Sequence, residues 1–93
     1  MHFLLRYHYV PDIAERRGPH RDAHLRRLWA EADAGRVIVA GAAGDPAVEA
    51  VILWSVDHPE VVAAFADGDP YMTAGLITSY EVVPNNSDVG EIA

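Results

Sequence analysis

From His2 to Tyr9 the side chains alternate, with Phe3, Leu5, Tyr7 and Tyr9 on one parity and His2, Leu4, Arg6 and His8 on the other. That period of two predicts a first strand with one buried face. From Pro19 the spacing changes. Ala23, Leu25, Leu28, Trp29 and Ala32 recur at helical intervals, and Gly35 just beyond them is the C-terminal stop of a helix. Between strand and helix, Val10 to Gly18 carries Pro11, Asp12, paired arginines and a glycine, and reads as a loop.

Arg36 to Gly41 and Val48 to Val56 are β-branched and apolar, and Gly44-Asp45-Pro46 between them has turn chemistry, so the two runs predict a hairpin. Asp57-His58-Pro59-Glu60 then predicts a helix start, with Asp57 as N-cap and Glu60 as its capping-box partner. This second helix runs to about Asp67. Gly68-Asp69-Pro70 breaks it, Tyr71 to Ala74 adds one further turn, and Leu76 to Val83 alternates as a last strand that Pro84 ends. The polar tail from Asn85 to Glu91 is expected to be mobile or to lie against a partner chain.

The order is β-α-β-β-α-β, an α+β arrangement of ferredoxin-like type with helices on one face of the sheet. In the central strand Ala50, Ile52 and Trp54 occupy one face and Val51 and Leu53 the other, and both sets are apolar. A face-to-face homodimer is the expected cover for the second face.

At 93 residues the chain makes one domain, residues 1–84, followed by the tail 85–93. It has no cysteine, which excludes disulfide and thiolate-zinc scaffolds and agrees with a reducing, cytoplasmic setting. No leader-like segment or membrane-length apolar run is visible, so a soluble, unexported chain is expected. A net charge of -7 opposes binding to nucleic-acid backbones. Yet Arg6, Arg16, Arg17, Arg21, Arg26 and Arg27, six of the seven basic residues, crowd the first thirty positions, enough to build a local rim that attracts anions.

In this topology the end of the first strand, the start of the first helix, the hairpin tip and the end of the second helix meet at one edge of the sheet. His24 and Asp69 are 45 positions apart but both fall at that edge, with Arg21, Tyr71 and either Arg6 or His8. A histidine exchanges a proton near neutrality, and a neighbouring carboxylate fixes its tautomer and favours its charged form. Asp69 before Pro70 is equally the pattern of a helix N-cap.

Other groupings are poorer. His20 and His24, four apart, lack a third ligand, so no metal site is assigned. Gly41-Ala42-Ala43-Gly44 lacks the lysine and following helix of a phosphate loop. His58 reads as a solvated first-turn residue, and Trp29 and Trp54 as core or interface bulk.

Arg21-x-x-His24-Leu25-x-x-Leu28, the Gly35 stop, Ala40-Gly41, Asp69-Pro70-Tyr71 and Gly75 together resemble the pattern of the YciI-like, or YCII-related, proteins, and the likeness runs from the first strand to about Val83. The resemblance implies a ferredoxin-like protomer in a dimeric α/β barrel, with His24 and Asp69 as the active-site pair. It implies kinship with muconolactone isomerases, which share the fold, and with a dehydrochlorinase of chlorinated hydroxyquinols.

Two functions follow as expectations. One is a cofactor-independent lyase or isomerase acting on a small anionic or phenolic metabolite. In it His24 moves a proton, Asp69 orients the ring, Arg21 or Arg6 holds a substrate carboxylate or oxyanion, and Tyr71 lines the pocket. The other is a dimeric small-molecule-binding or regulatory module in which His24 and Asp69 only brace the fold. Access of the imidazole to a cavity discriminates between them.

Overall fold

A computed structural model describes residues 1–86; the rest of the predicted tail, 87–93, lies outside the described residues. The elements are β1 (His2–Tyr9), α1 (Ile13–Arg16), α2 (Gly18–Asp33), β2 (Val37–Ala43), β3 (Glu49–Ser55), α3 (Pro59–Asp67), α4 (Pro70–Thr73) and β4 (Ile77–Pro84). The four strands form one sheet in the order β2-β3-β1-β4, and every neighbouring pair is antiparallel. This is the ferredoxin-like α+β arrangement that the alternation of elements predicts.

Parity decides which side chains meet the helices. Phe3, Leu5 and Tyr7 of β1 and Ala50, Ile52 and Trp54 of β3 are buried, packed with Val62, Phe65 and Ala66 of α3. Trp54 meets the Phe65 ring edge-on at 5.1 Å. Sealing a side chain such as Leu5 or Ile52 is worth about 1.5 to 3 kcal/mol, so this layer carries the fold. On the opposite face the pairing aligns Val83, Leu4, Leu53 and Val39 in one apolar row across all four strands.

Two glycines end helices in the way their sequence position requires. Gly35 follows α2 at φ 80 and Gly75 follows α4 at φ 74. In each case the glycine N–H and the next N–H return to carbonyls of the last turn, Gly35 to Ala32 and Arg36 to Glu31, Gly75 to Met72 and Leu76 to Tyr71. These are Schellman closures, and glycine takes the left-handed conformation without a Cβ penalty.

Several local expectations differ from the structure. The segment read as a loop contains α1, and Arg17 continues in helical geometry into α2, which begins at Gly18. The cap of α3 is His58, not Asp57, and no side chain caps it. Pro59 takes the first helical position and forces the residue before it into extended backbone, so the cap falls one position later than the capping-box reading. Trp54 is core, but Trp29 is 65% exposed and is not. Among the described residues no helix is long and apolar enough to cross a membrane.

Candidate functional site

The site starts from a proline. Pro70 sits at the head of α4 and holds Asp69 in extended backbone, where its side chain accepts a hydrogen bond at 2.9 Å from the backbone N–H of Tyr71. Asp69 is thus the N-cap that its place before Pro70 predicts. The same carboxylate lies 2.9 Å from His24 Nδ1 through either oxygen, and its Oδ2 accepts a 2.8 Å bond from the Tyr7 hydroxyl. Asp69 is completely buried, and three donors converge on its two oxygens. An ionised carboxylate only accepts, so the bond between the two side chains takes its proton from His24 Nδ1.

His24 is the buried residue of α2, and its ring lies flat on that of Tyr71, the centroids 3.9 Å apart and the planes 9° from parallel. Tyr9 closes the stack edge-on to Tyr71 at 6.3 Å. Nε2 has no hydrogen-bond partner among the described residues and is not one of the sealed, unpartnered polar atoms. His24 lines a cavity of about 250 Å³ together with Tyr9, Arg17, Arg21, Ala42 and Tyr71.

The tyrosines around the carboxylate are held neutral. Burial, and after it the charge and hydrogen bond of Asp69, push the Tyr7 hydroxyl far above the ordinary value of 10.0. Tyr9 is pushed up to about 12, mainly by burial and then by Tyr71 and Asp69, with Arg17 acting against them. Tyr71 is also raised, by burial first, while the charges of Arg17 and Arg21 pull it back. Those two guanidinium groups supply the positive field at the cavity.

Of the residues the sequence nominates, the structure brings His24, Asp69, Arg21 and Tyr71 together. Arg6 is not with them. It has the opposite parity to Tyr7, points from the open face of the sheet, and pairs with Glu49 at 3.5 Å. His8 shares that face and binds Glu81. Tyr7, Tyr9 and Arg17 are site residues that sequence reasoning missed. A buried tyrosine hydroxyl demands a partner, which was a signal for Tyr7. Arg17, Arg21 and His24 stand at i, i+4 and i+7, one helix face, a signal hidden by reading Val10 to Gly18 as loop.

Fold and site together define a ferredoxin-like α+β protein with a histidine-lined hollow between its first long helix and the sheet. The model of the YCII-related domain matches residues 1–86. Protein YciI of Escherichia coli O6:H1 and protein YciI of Shigella flexneri are each 33% identical over 82 aligned residues, covering 78% of this chain and 84% of theirs. The chain belongs to the YciI-like family.

Among solved structures it is similar to the 5-chloro-2-hydroxyhydroquinone dehydrochlorinase of Burkholderia phenoliruptrix, in complex with 2,5-dihydroxybenzoquinone. The TM-score is 0.77 at 21% identity, over 92% of this chain and 94% of that one. Protein Atu4242 of Agrobacterium tumefaciens is similar with a TM-score of 0.58 at 12% identity, over 98% of each chain. Both likenesses are likenesses of fold.

Proposed function

We propose that the protein is a cofactor-independent lyase or isomerase for a small anionic or phenolic metabolite, with His24 as the group that moves the proton. One observation carries this reading: Nδ1 is tied to a sealed carboxylate, and the same histidine lines a cavity with two arginines, its Nε2 without a hydrogen-bond partner among the described residues. In the proposed reaction Nε2 accepts a proton from the substrate, Asp69 stabilises the imidazolium, and Arg17 and Arg21 hold the developing oxyanion. The proton then returns to a different atom in an isomerisation, or the substrate loses an anion in an elimination. The dehydrochlorinase of the same fold, which binds a dihydroxylated quinone, supports a one-ring substrate.

The protomer is proposed to be one domain, residues 1–84, paired face to face in a dimeric α/β barrel. The apolar row Val83-Leu4-Leu53-Val39 supports that pairing, because water-facing rows of this kind mark interfaces.

The test is His24→Asn, assayed on chlorinated hydroxyquinols and muconolactones by release of chloride or by isomer formation. Turnover should drop by about 10²- to 10⁴-fold, the usual worth of general acid-base help, with the fold retained. A His24→Asn variant as fast as its parent removes His24 from the mechanism. The complete burial of Asp69 and its capping of α4 favour one other reading, a binding module braced by the same bond. Ligand uptake without turnover in the parent protein would select it.

A further inference from the structure

A second hollow lies beside the first in the trough between α2 and β2. It measures about 350 Å³ and is walled by Leu25, Leu28, Trp29, Ala32, Val37 and Ile38 among others, all of them apolar. Leu25, Leu28 and Ala40 border both hollows. Because α2 and β2 run in opposite directions, the trough follows the helix from Arg17 and Arg21 at one end to Ala32 at the other. From His24 to Ala32 the helical rise spans roughly 12 Å.

The two ends differ in charge. Arg17 and Arg21 put positive charge at the first hollow, and no charged side chain lines the second. Large apolar groups stand in water there, Trp29 65% exposed and Ile38 41%. β2 is an edge strand, and its pairing with β3 shifts register between Val37 and Val39, the segment that holds Ile38.

We propose that the two hollows are one ligand site and that its occupant is an amphiphile, with an anionic or phenolic head at Arg17, Arg21 and His24 and an alkyl or acyl tail along Leu28, Trp29 and Ala32. This rests on the head-group reading given under Proposed function. The shared border argues for a single ligand, and charge at one end with apolar walls at the other is the complement of an amphiphile. A second copy of the chain covering the apolar row of the open sheet face, which meets this trough at Val39, is the rival occupant.

The full-length protein would be titrated with butanoate, hexanoate, octanoate and decanoate, and with the alkanols of the same lengths. Tryptophan emission reads the result, since Trp54 is sealed in the core and Trp29 is not. Carboxylate affinity should rise by up to about fourfold per added methylene, the worth of burying that group, with emission shifting to the blue. Ile38→Glu should erase the gain with chain length. The double variant Arg17→Gln, Arg21→Gln should weaken carboxylates of every length and spare the alkanols.

Equal affinity from butanoate to decanoate would overturn the tail site and leave the head site standing. Carboxylate binding indifferent to the arginine pair would overturn the head site and, with it, this inference. Blue emission that grows with protein concentration alone would place a second copy in the trough and overturn the proposal as well.

Discussion

The imidazole of His24 rests face to face on the phenol ring of Tyr71, 3.9 Å away, while the backbone N–H of that same tyrosine donates to Asp69 at 2.9 Å. One residue therefore sets both the plane of the imidazole and the position of its carboxylate partner. The single turn α4 is the frame of the site, and Gly75 and Pro70 fix its two ends.

If the stack orients His24, removing the ring should harm more than removing the hydroxyl. Tyr71→Phe should keep its stability in urea unfolding, whereas Tyr71→Ala should lose roughly 3 to 5 kcal/mol, as a buried aromatic truncation does. Equal losses would show that the hydroxyl, not the ring, does the holding.

Asp69 gives a sharper measurement. A cap alone is worth about 0.5 to 2 kcal/mol. Because truncation here would strand Tyr7, His24 and the Tyr71 amide, Asp69→Ala should cost more, roughly 3 to 5 kcal/mol by analogy with a broken buried pair. A double-mutant cycle with Tyr7→Phe should return a coupling of about 0.5 to 3 kcal/mol. Additive losses would mean that the Tyr7 hydroxyl bond contributes nothing.

Alkaline stability follows from the tyrosines. Tyr7, Tyr9, Tyr71 and Tyr80 are all raised above 10.0 in the fold, Tyr9 to about 12. The folded state thus favours the neutral phenols, and unfolded chains release those protons first. Their contribution is complete below the unfolded value of 10.0 and is lost as pH rises through the folded values. Urea midpoints should fall above about pH 10, less steeply in Tyr7→Phe. Tyrosinate absorbance that reaches its full value near the ordinary pKa in folded protein would contradict the buried site.

The proposed dimer can be tested at Leu53, between Leu4 and Val39 in the open row. Leu53→Glu places a charge in the middle of that apolar strip. Sedimentation should show monomers in place of dimers, with the circular dichroism unchanged. A variant that sediments as its parent does would move the interface elsewhere.

The strands, the main helix and its glycine stop were legible because they depend on neighbours in sequence: period two from Phe3 to Tyr9, helical spacing from Ala23 to Ala32, and Gly35 where the chain must turn left-handed. The order of elements was enough to bring His24 and Asp69 to one edge. Their contact, and the third hold on the carboxylate from Tyr7, 62 residues away, belong to tertiary structure, since a hydrogen bond between distant segments leaves no spacing to read. Arg6 shows the converse. Its parity was plain, but only the packing of helices on the other face shows that parity to be the wrong side for the site, whereas Arg17 joins it because the helical turn runs on through a stretch whose proline and glycine suggested a loop.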